Sequence, residues 1–411
     1  MLQALPAIVE QHAEEAAFLW ILRDRAVDAP NYKLHHLAQL ERRIEAHLDG
    51  LRLAGQVGRE IAAIQLDRFR EPGELFTATV LALEGGDRCG LDAALDIAAN
   101  TPTARRGLLG AIGWVSPHVL GSLAREWFGA HDAFRRHLGV VACSLHRVDA
   151  NAHLIALIED PDPAVRARAF RLAAEVGRVD LRERIARAGD AQDDIAGPWS
   201  IWAAALLGDP ISARRLETVI EAGGPTGGPA LEVVARRSEP ERVAAWARRL
   251  NGNATQRRVL IQVLGALGDA AVLPWLLAQA EEPKLARSAG ASIALISGVD
   301  IAEDGFESPP PQDFAAGPTE DAADEDVAMD PDEHLPWPNA KELTSWWDEH
   351  GAHFQRGTRY LLGQPVSDDA VEATLNSGYQ NQRRAAAYER AVMHPEAGLP
   401  PWRRRAAAHA R

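Results

Sequence analysis

The chain is poor in the residues on which compact chemical sites most often rest. It has two cysteines, Cys89 and Cys143, too few for a disulfide framework or a thiolate zinc site. A reducing, cytoplasmic setting is the expectation that fits such usage. Lysine is nearly absent, with only Lys33, Lys284 and Lys341, so basic charge is carried almost wholly by arginine. No apolar run is long enough to span a bilayer. The most apolar stretch, VLIQVLGALGDAAVLPWLLA from Val259, is interrupted by Gln262, Asp269 and Pro274. The opening MLQALPAIVEQHAEE lacks the basic leading region of a signal peptide. Sustained period-two alternation and hairpin signals are missing, so a β or α/β fold is not expected. Gly-x-Ser-x-Gly, His-Glu-x-x-His and EF-hand spacings do not occur, and GGPTGGPA (223–230) lacks the Lys-Ser/Thr of a phosphate loop. No catalytic set and no cofactor is therefore expected.

What is present begins with an uneven charge. The formal charge is −14, yet residues 302–334 hold twelve acids and no Lys or Arg, which leaves the rest of the chain at −2. This segment, AEDGFESPPPQDFAAGPTEDAADEDVAMDPDEH, is rich in Pro and acids and poor in aliphatics. Too little apolar surface is available to order it, so 302–335 reads as an acidic disordered linker. Deleting 303–333 is then expected to leave the melting temperature almost unchanged. Elsewhere no concentrated basic block suggests a phosphate-binding stripe, so nucleic acid is not an expected partner.

Helical periodicity dominates. Ile8, His12, Ala16, Leu19 and Leu22 recur at spacings of three and four, a single apolar helix face. Further helices are expected over about 34–53, 57–69 and 74–84, with EPG as a turn before the last. From Arg105 an internal repeat of thirty residues begins, over 105–134, 135–164 and 165–194. Each copy has Arg at its second position, a break near the middle and a second apolar helix. The register blurs through 195–256 and returns at 257–286. In LIALIEDPDPAVRARAFRLAAEVG, Asp160 and Asp162 are placed to cap the next helix and Pro163 suits its first turn. Arg166 is expected to pair with an acid of a neighbouring turn, while Ala169 and Ala173 permit close helix approach. Leu157, Arg166 and Ala169 have counterparts in Leu375, Arg384 and Ala387, so the region after the acidic segment reads as one more unit of this kind.

Several residue groups invite a chemical reading. RIEAHLDGLRLAG sets Glu45, His47 and Asp49 two apart, but neighbours at that spacing on a helix point about 200° apart. His47 instead joins Ile44, Leu48 and Leu51 on a packing stripe, with Glu45 and Asp49 directed elsewhere. His12, His36 and His47 together would be the material of a metal site; packed histidines are the plainer reading, and no metal is expected. Cys143 and His146 stand one turn apart amid Val140, Val141 and Ala142, a setting for a core cysteine rather than a nucleophile. Trp337, Trp346 and Trp347 are the expected partner-binding residues, since tryptophan is enriched at interface anchors. Packing between repeats is the plainer role for them.

The unit from Leu154 resembles the HEAT repeat family, including its short PBS-lyase-type form: a leucine helix, Asp-Pro in the turn, then Val-Arg-x-x-Ala. The resemblance implies an all-α, HEAT-like α-solenoid of stacked helical hairpins, with helical N- and C-terminal caps. The expected divisions are a cap over 1–85, the solenoid over 86–301, the linker over 302–335, and a cap with one HEAT-like unit over 336–411. VEQHAEEAAFLWILRD, RRIEAHLDGLRLAG, LPWPNAKELTSWWDEHGAHFQRGTRYLLGQP and QRRAAAYERA are also similar to a family of uncharacterised bacterial proteins. Genes of that family often lie beside type VI secretion components, and it has no established activity to carry over. The resemblance implies a non-enzymatic protein-binding scaffold: an adaptor, chaperone or effector-neutralising protein whose partner is a type VI effector or spike component, with no membrane partner. Two other readings stay open, a metal-dependent enzyme using His12, His36 and His47, and a HEAT-like DNA-binding protein.

Overall fold

A computed structural model of the chain describes residues 5–189, 193–251, 256–312, 314, 316–317 and 329–406. Two compact units divide it, one of Met1–Leu207 with Pro395–Arg411, the other of Gly208–His394. The fold is all-α. Among the described residues there are 21 α-helices and a single two-stranded hairpin, and no helix is long and apolar enough to cross a membrane.

The first unit contains α1 (Pro6–Ala26), α2 (Leu34–Leu53), α3 (Gln56–Phe69), α4 (Pro72–Gly85), α5 (Arg88–Asn100) and α6 (Arg105–Trp114). It continues with α7 (Pro117–Phe128), α8 (Ala133–His146), α9 (Ala152–Leu157), α10 (Pro163–Glu175), α11 (Arg182–Ala188) and α12 (Ala196–Leu206). Helices α1, α4, α6, α8, α10 and α12 each pack against the next in this series, with α7 laid on α8 and α11 on α12. Their starts follow from capping chemistry. Ser116 and Asp162 accept bonds from main-chain N–H groups of the first turn, and each is followed by proline at the first helical position.

Arginine locks these turns together. Arg136 donates to the carbonyls of Ala130 (3.0 Å) and His131 (2.7 Å) and pairs with Asp160 at 2.7 Å. Thirty residues on, Arg166 donates to the carbonyls of Asp160 and Pro161 and pairs with Asp193, which itself caps the start of α12. Each arginine closes the turn before its own helix and clamps the acidic turn before a later one. The expected pairing of Arg166 and capping by Asp162 are both present.

The apolar face of α1 differs from expectation. Val9, Ala13, Ala16, Leu19 and Trp20 are buried, whereas Ile8 is 51% and Leu22 37% exposed. Close approach of α4 selects the alanine side: a Cβ on Gly73 would lie 2.5 Å from the Ala17 carbonyl oxygen. Trp20 supplies bulk beside that contact, stacking on Phe76 at 4.9 Å, and Phe76 meets Trp114 edge-on at 5.3 Å.

The second unit contains α13 (Pro210–Ala222), α14 (Gly227–Arg237), α15 (Pro240–Asn251), α16 (Arg257–Leu267), α17 (Leu273–Gln279) and α18 (Ala286–Ser297). After the acidic segment come α19 (Ala340–His350), β1 (Tyr360–Leu361), β2 (Gln364–Pro365), α20 (Asp368–Ser377) and α21 (Gln380–Met393). Helix α14 packs on α16, α16 on α18, and α21 on α14. The hairpin was not expected. Leu362 and Gly363, both at positive φ, form its two-residue turn. Its main chain bonds the C-terminal ends of two helices, Tyr360 N–H to the Gly268 carbonyl at 2.8 Å and Leu362 N–H to the Leu295 carbonyl at 2.8 Å. Such carbonyls have no partner within their own helix.

The border between units falls at 207/208, inside the span 86–301 expected to be one solenoid, and 395–411 groups with the first unit, whereas the expected C-terminal cap ran over 336–411. Where it is described, the acidic segment makes specific contacts. Ser308 N–H bonds the Trp337 carbonyl and Asn339 N–H the Phe306 carbonyl. Asp332, only 4% exposed, pairs with Arg258, and Asp330 pairs with Arg287. Charge pairing replaces the missing apolar burial. Burial alone would raise the Asp330 carboxyl, but the Asp332 N–H and Arg287 outweigh it and hold it below the ordinary value. Residues 313, 315 and 318–328 of this span lie outside the described residues.

Asp332→Ala is therefore expected to destabilise the protein by about 2 kcal/mol, because it leaves the half-buried Arg258 guanidinium without its carboxylate. Arg88→Ala, which removes an exposed pair with Glu126, is expected to leave the melting temperature unchanged. Thermal melts of the two variants check the contrast, and equal melting temperatures would restore the disordered-linker reading.

Candidate functional site

The residues of EAHLDG separate by partner. His47 turns to α1, its Nδ1 lying 3.1 Å from Nδ1 of His12 with the rings edge to face. Burial, then the neighbouring His12, push His47 below the ordinary histidine value. His36 sits eleven residues before His47 on α2, about 16 Å along the axis at the rise of a helix. Its Nδ1 accepts the Lys33 N–H at the start of that helix. The three histidines do not converge, and among the described residues no group of three or more His, Cys, Asp and Glu could hold a metal. Glu45 and Asp49, expected to point apart from His47, share a face four residues apart and both pair with Arg52, at 2.8 and 2.6 Å.

Cys143 is buried, and burial pushes its thiol up to about 11. The neighbouring His146 ring is engaged with the Ile112 carbonyl at 2.8 Å. No activated thiolate results. Trp346 and Trp347 are both half-buried, and both reach Phe354, at ring distances of 6.4 and 5.5 Å. Trp346 also stacks on His350 at 4.8 Å, while Trp337 meets Phe314 at 4.8 Å under the Arg287 guanidinium. Adjacent residues on a helix point about 100° apart. Phe354, on the turn after α19, lets both rest on one ring and leaves each partly open to solvent.

Buried charge is used to join elements. Arg236 bonds Glu389 at 2.7 Å and Glu232 at 2.8 Å, tying α14 to α21, with Arg359 on Glu389 and Arg384 on Glu232. In the first unit, Glu175 at the end of α10 takes Arg168, Arg147 and the Ser144 hydroxyl. Burial alone would raise its carboxyl, but these arginines and the hydroxyl outweigh it and hold it at about 2.

Charged groups also converge on the surface of the first unit where Leu399–Ala406 runs over it. Leu399 N–H bonds the Glu175 carbonyl at 3.1 Å, and Arg147 Nε donates to the Leu399 carbonyl at 2.9 Å. Arg23 Nη2 donates to the Arg403 carbonyl at 2.8 Å, and Ala406 N–H to the buried carboxylate of Glu41 at 2.7 Å. Arg403 pairs with Asp28 at 3.0 Å. The Arg405 guanidinium lies 4.0 Å above the Trp114 ring, pairs with Glu45 at 2.6 Å and donates to the Trp114 carbonyl at 3.2 Å. Glu45 is fixed for this by the Trp114 indole N–H, 2.8 Å away. Sequence reasoning missed this groove. The signal available was the basic run WRRR at 402–405 in a chain of opposite net charge.

A carboxyl lowered in the folded state contributes stability that is present above its unfolded value and is lost as pH falls through the folded one. For Glu175 the window runs from 4.5 down to about 2. Urea melts from pH 7 to pH 2 are expected to show a steep acid limb that Glu175→Gln flattens, at a cost of about 3 kcal/mol at neutral pH. Identical acid limbs would remove the assignment. Comparison of the chain with protein-family models, with curated proteins and with solved structures gives no match.

Proposed function

We propose that the chain is a non-enzymatic protein-binding scaffold built as a HEAT-like α-solenoid with helical caps. The observation that carries this reading is the recurrence of one clamp at the repeat period, Arg136 on Asp160 and Arg166 on Asp193, between helices that pack each on the next. Repeats tied turn to turn offer an extended surface without needing a deep pocket. Of the groups a catalytic reading would use, Glu175 and Glu389 are paired with arginines, His146 is engaged with a carbonyl and His47 with His12, and the Cys143 thiol is buried.

The placing of the scaffold near type VI secretion, as adaptor, chaperone or effector-neutralising protein, comes from the resemblance of its terminal segments alone. Trp337, Trp346 and Trp347 remain the proposed anchors for a protein partner, because each keeps part of its ring surface open.

Tagged chain purified natively from its host is expected to carry a second protein in stoichiometric amount. Trp346→Ala and Trp347→Ala are each expected to reduce that capture by about tenfold, with helicity by circular dichroism unchanged. No co-purifying protein, together with stoichiometric metal in the preparation, would overturn the scaffold reading in favour of the histidine enzyme.

A further inference from the structure

We propose that the groove of the first unit filled by Leu399–Ala406 is a recognition site for an extended, arginine-bearing segment of a partner protein, which enters by displacing the chain's own segment. This deepens the scaffold reading and rests on it.

The contacts divide as those of a peptide-binding groove do. One set reads backbone regardless of side chain: Glu175 and Arg147 at Leu399, Arg23 at the Arg403 carbonyl, Glu41 at the Ala406 N–H. The other set reads arginine. At Arg405 a ring face, a carboxylate and a carbonyl surround one guanidinium, with Trp114 below and Glu45 beside it. A lysine has neither the planar surface to lie on the indole nor the flat fork that spreads donors to a carboxylate and a carbonyl on different sides. Asp28 adds a second acid, facing Arg403.

The seated segment is held in a way suited to exchange. Leu399 is buried, but no residue from Pro400 to Ala406 is. Apart from Leu399 and the Ala406 methyl, which packs on Ala26, Val27 and Leu37, the attachment is charge and hydrogen bonding at a partly exposed surface, which salt and competitors weaken. The fit is also incomplete, since the buried Nε of Arg405 has no hydrogen-bond partner among the described residues. The groove side, by contrast, is fixed in advance: Glu41 is held by Arg23, and Glu45 by Trp114 and Arg52.

An intramolecular segment competes at an effective concentration on the order of millimolar. The open groove is then a minor state, and the apparent affinity for an outside segment is reduced by the fraction open. Weakening the chain's own contact must therefore strengthen binding from outside.

The probe is a fluorescein-labelled peptide LPPWRRRA, titrated into the full-length chain and read by anisotropy. Arg405→Ala in the protein is expected to bind the peptide about tenfold more tightly than the unaltered chain. Adding Glu45→Gln in that background is expected to cancel the gain, as is Arg405→Lys in the peptide. Hydrogen exchange of the unaltered chain is expected to show 399–406 losing protection when peptide is added. Glu45 is only half-buried, so the fold is kept, and circular dichroism confirms it. No gain from Arg405→Ala, or a gain indifferent to Glu45→Gln, overturns the proposal. Native purification of the Arg405→Ala, Glu45→Gln chain separates this from the broader reading. A partner still captured without peptide binding removes the groove and leaves the scaffold. Peptide binding to the Arg405→Ala chain with no protein captured removes the scaffold and leaves the groove.

Discussion

The structure depends on arginine held at the turns between helices. A helix start leaves main-chain N–H groups unpaired, and the turn before it leaves carbonyls pointing outward. Asp162 satisfies the first need at α10, and Arg166 satisfies the second by reaching back to the carbonyls of Asp160 and Pro161. The same guanidinium then extends to Asp193. One side chain thereby fixes a turn, a helix entry and the distance to a later helix. Lysine carries its three N–H donors on one nitrogen and cannot span acceptors as far apart as a guanidinium does, which gives the near absence of lysine a structural consequence.

The acidic segment obeys the same rule in a different place. Asp330-Pro331-Asp332 repeats the form of Asp160-Pro161-Asp162: in each, the second aspartate's N–H bonds the first one's carboxylate at 2.9 Å. In each, arginines from helix starts hold the turn, Arg258 and Arg287 in the second unit as Arg136 and Arg166 do in the first. The segment is docked through a turn of the kind the repeats use, and composition averaged over thirty residues conceals a motif of three.

How much was legible follows from the range of each interaction. The helices, the caps at Asp162-Pro163 and the stripe Ile44, Leu48, Leu51 are set by residues within two turns of one another, and the sequence displays them. The buried face of α1 was misjudged because the contact that selects it, Gly73 against Ala17, joins residues far apart in the chain. The Leu362-Gly363 hairpin was missed because its strands are two residues long and owe their order to the ends of α16 and α18 rather than to alternation. The groove was the least legible feature. Glu45 was read only as directed away from the His47 stripe, and its partners Trp114 and Arg405 are 69 and 360 positions away.

The return of Leu399–Ala406 to the first unit also bears on how the protein is made. Glu41 and the Glu175 carbonyl belong to sequence that leaves the ribosome early, yet the N–H groups they accept arrive only after the whole of 208–394 has been synthesised. The first unit thus cannot finish folding in the order in which it is translated. Until Leu399–Ala406 arrives, Glu41, Glu45 and Trp114 lack the contacts it supplies, and on the proposed reading an arginine-bearing segment from outside would meet them without that competitor.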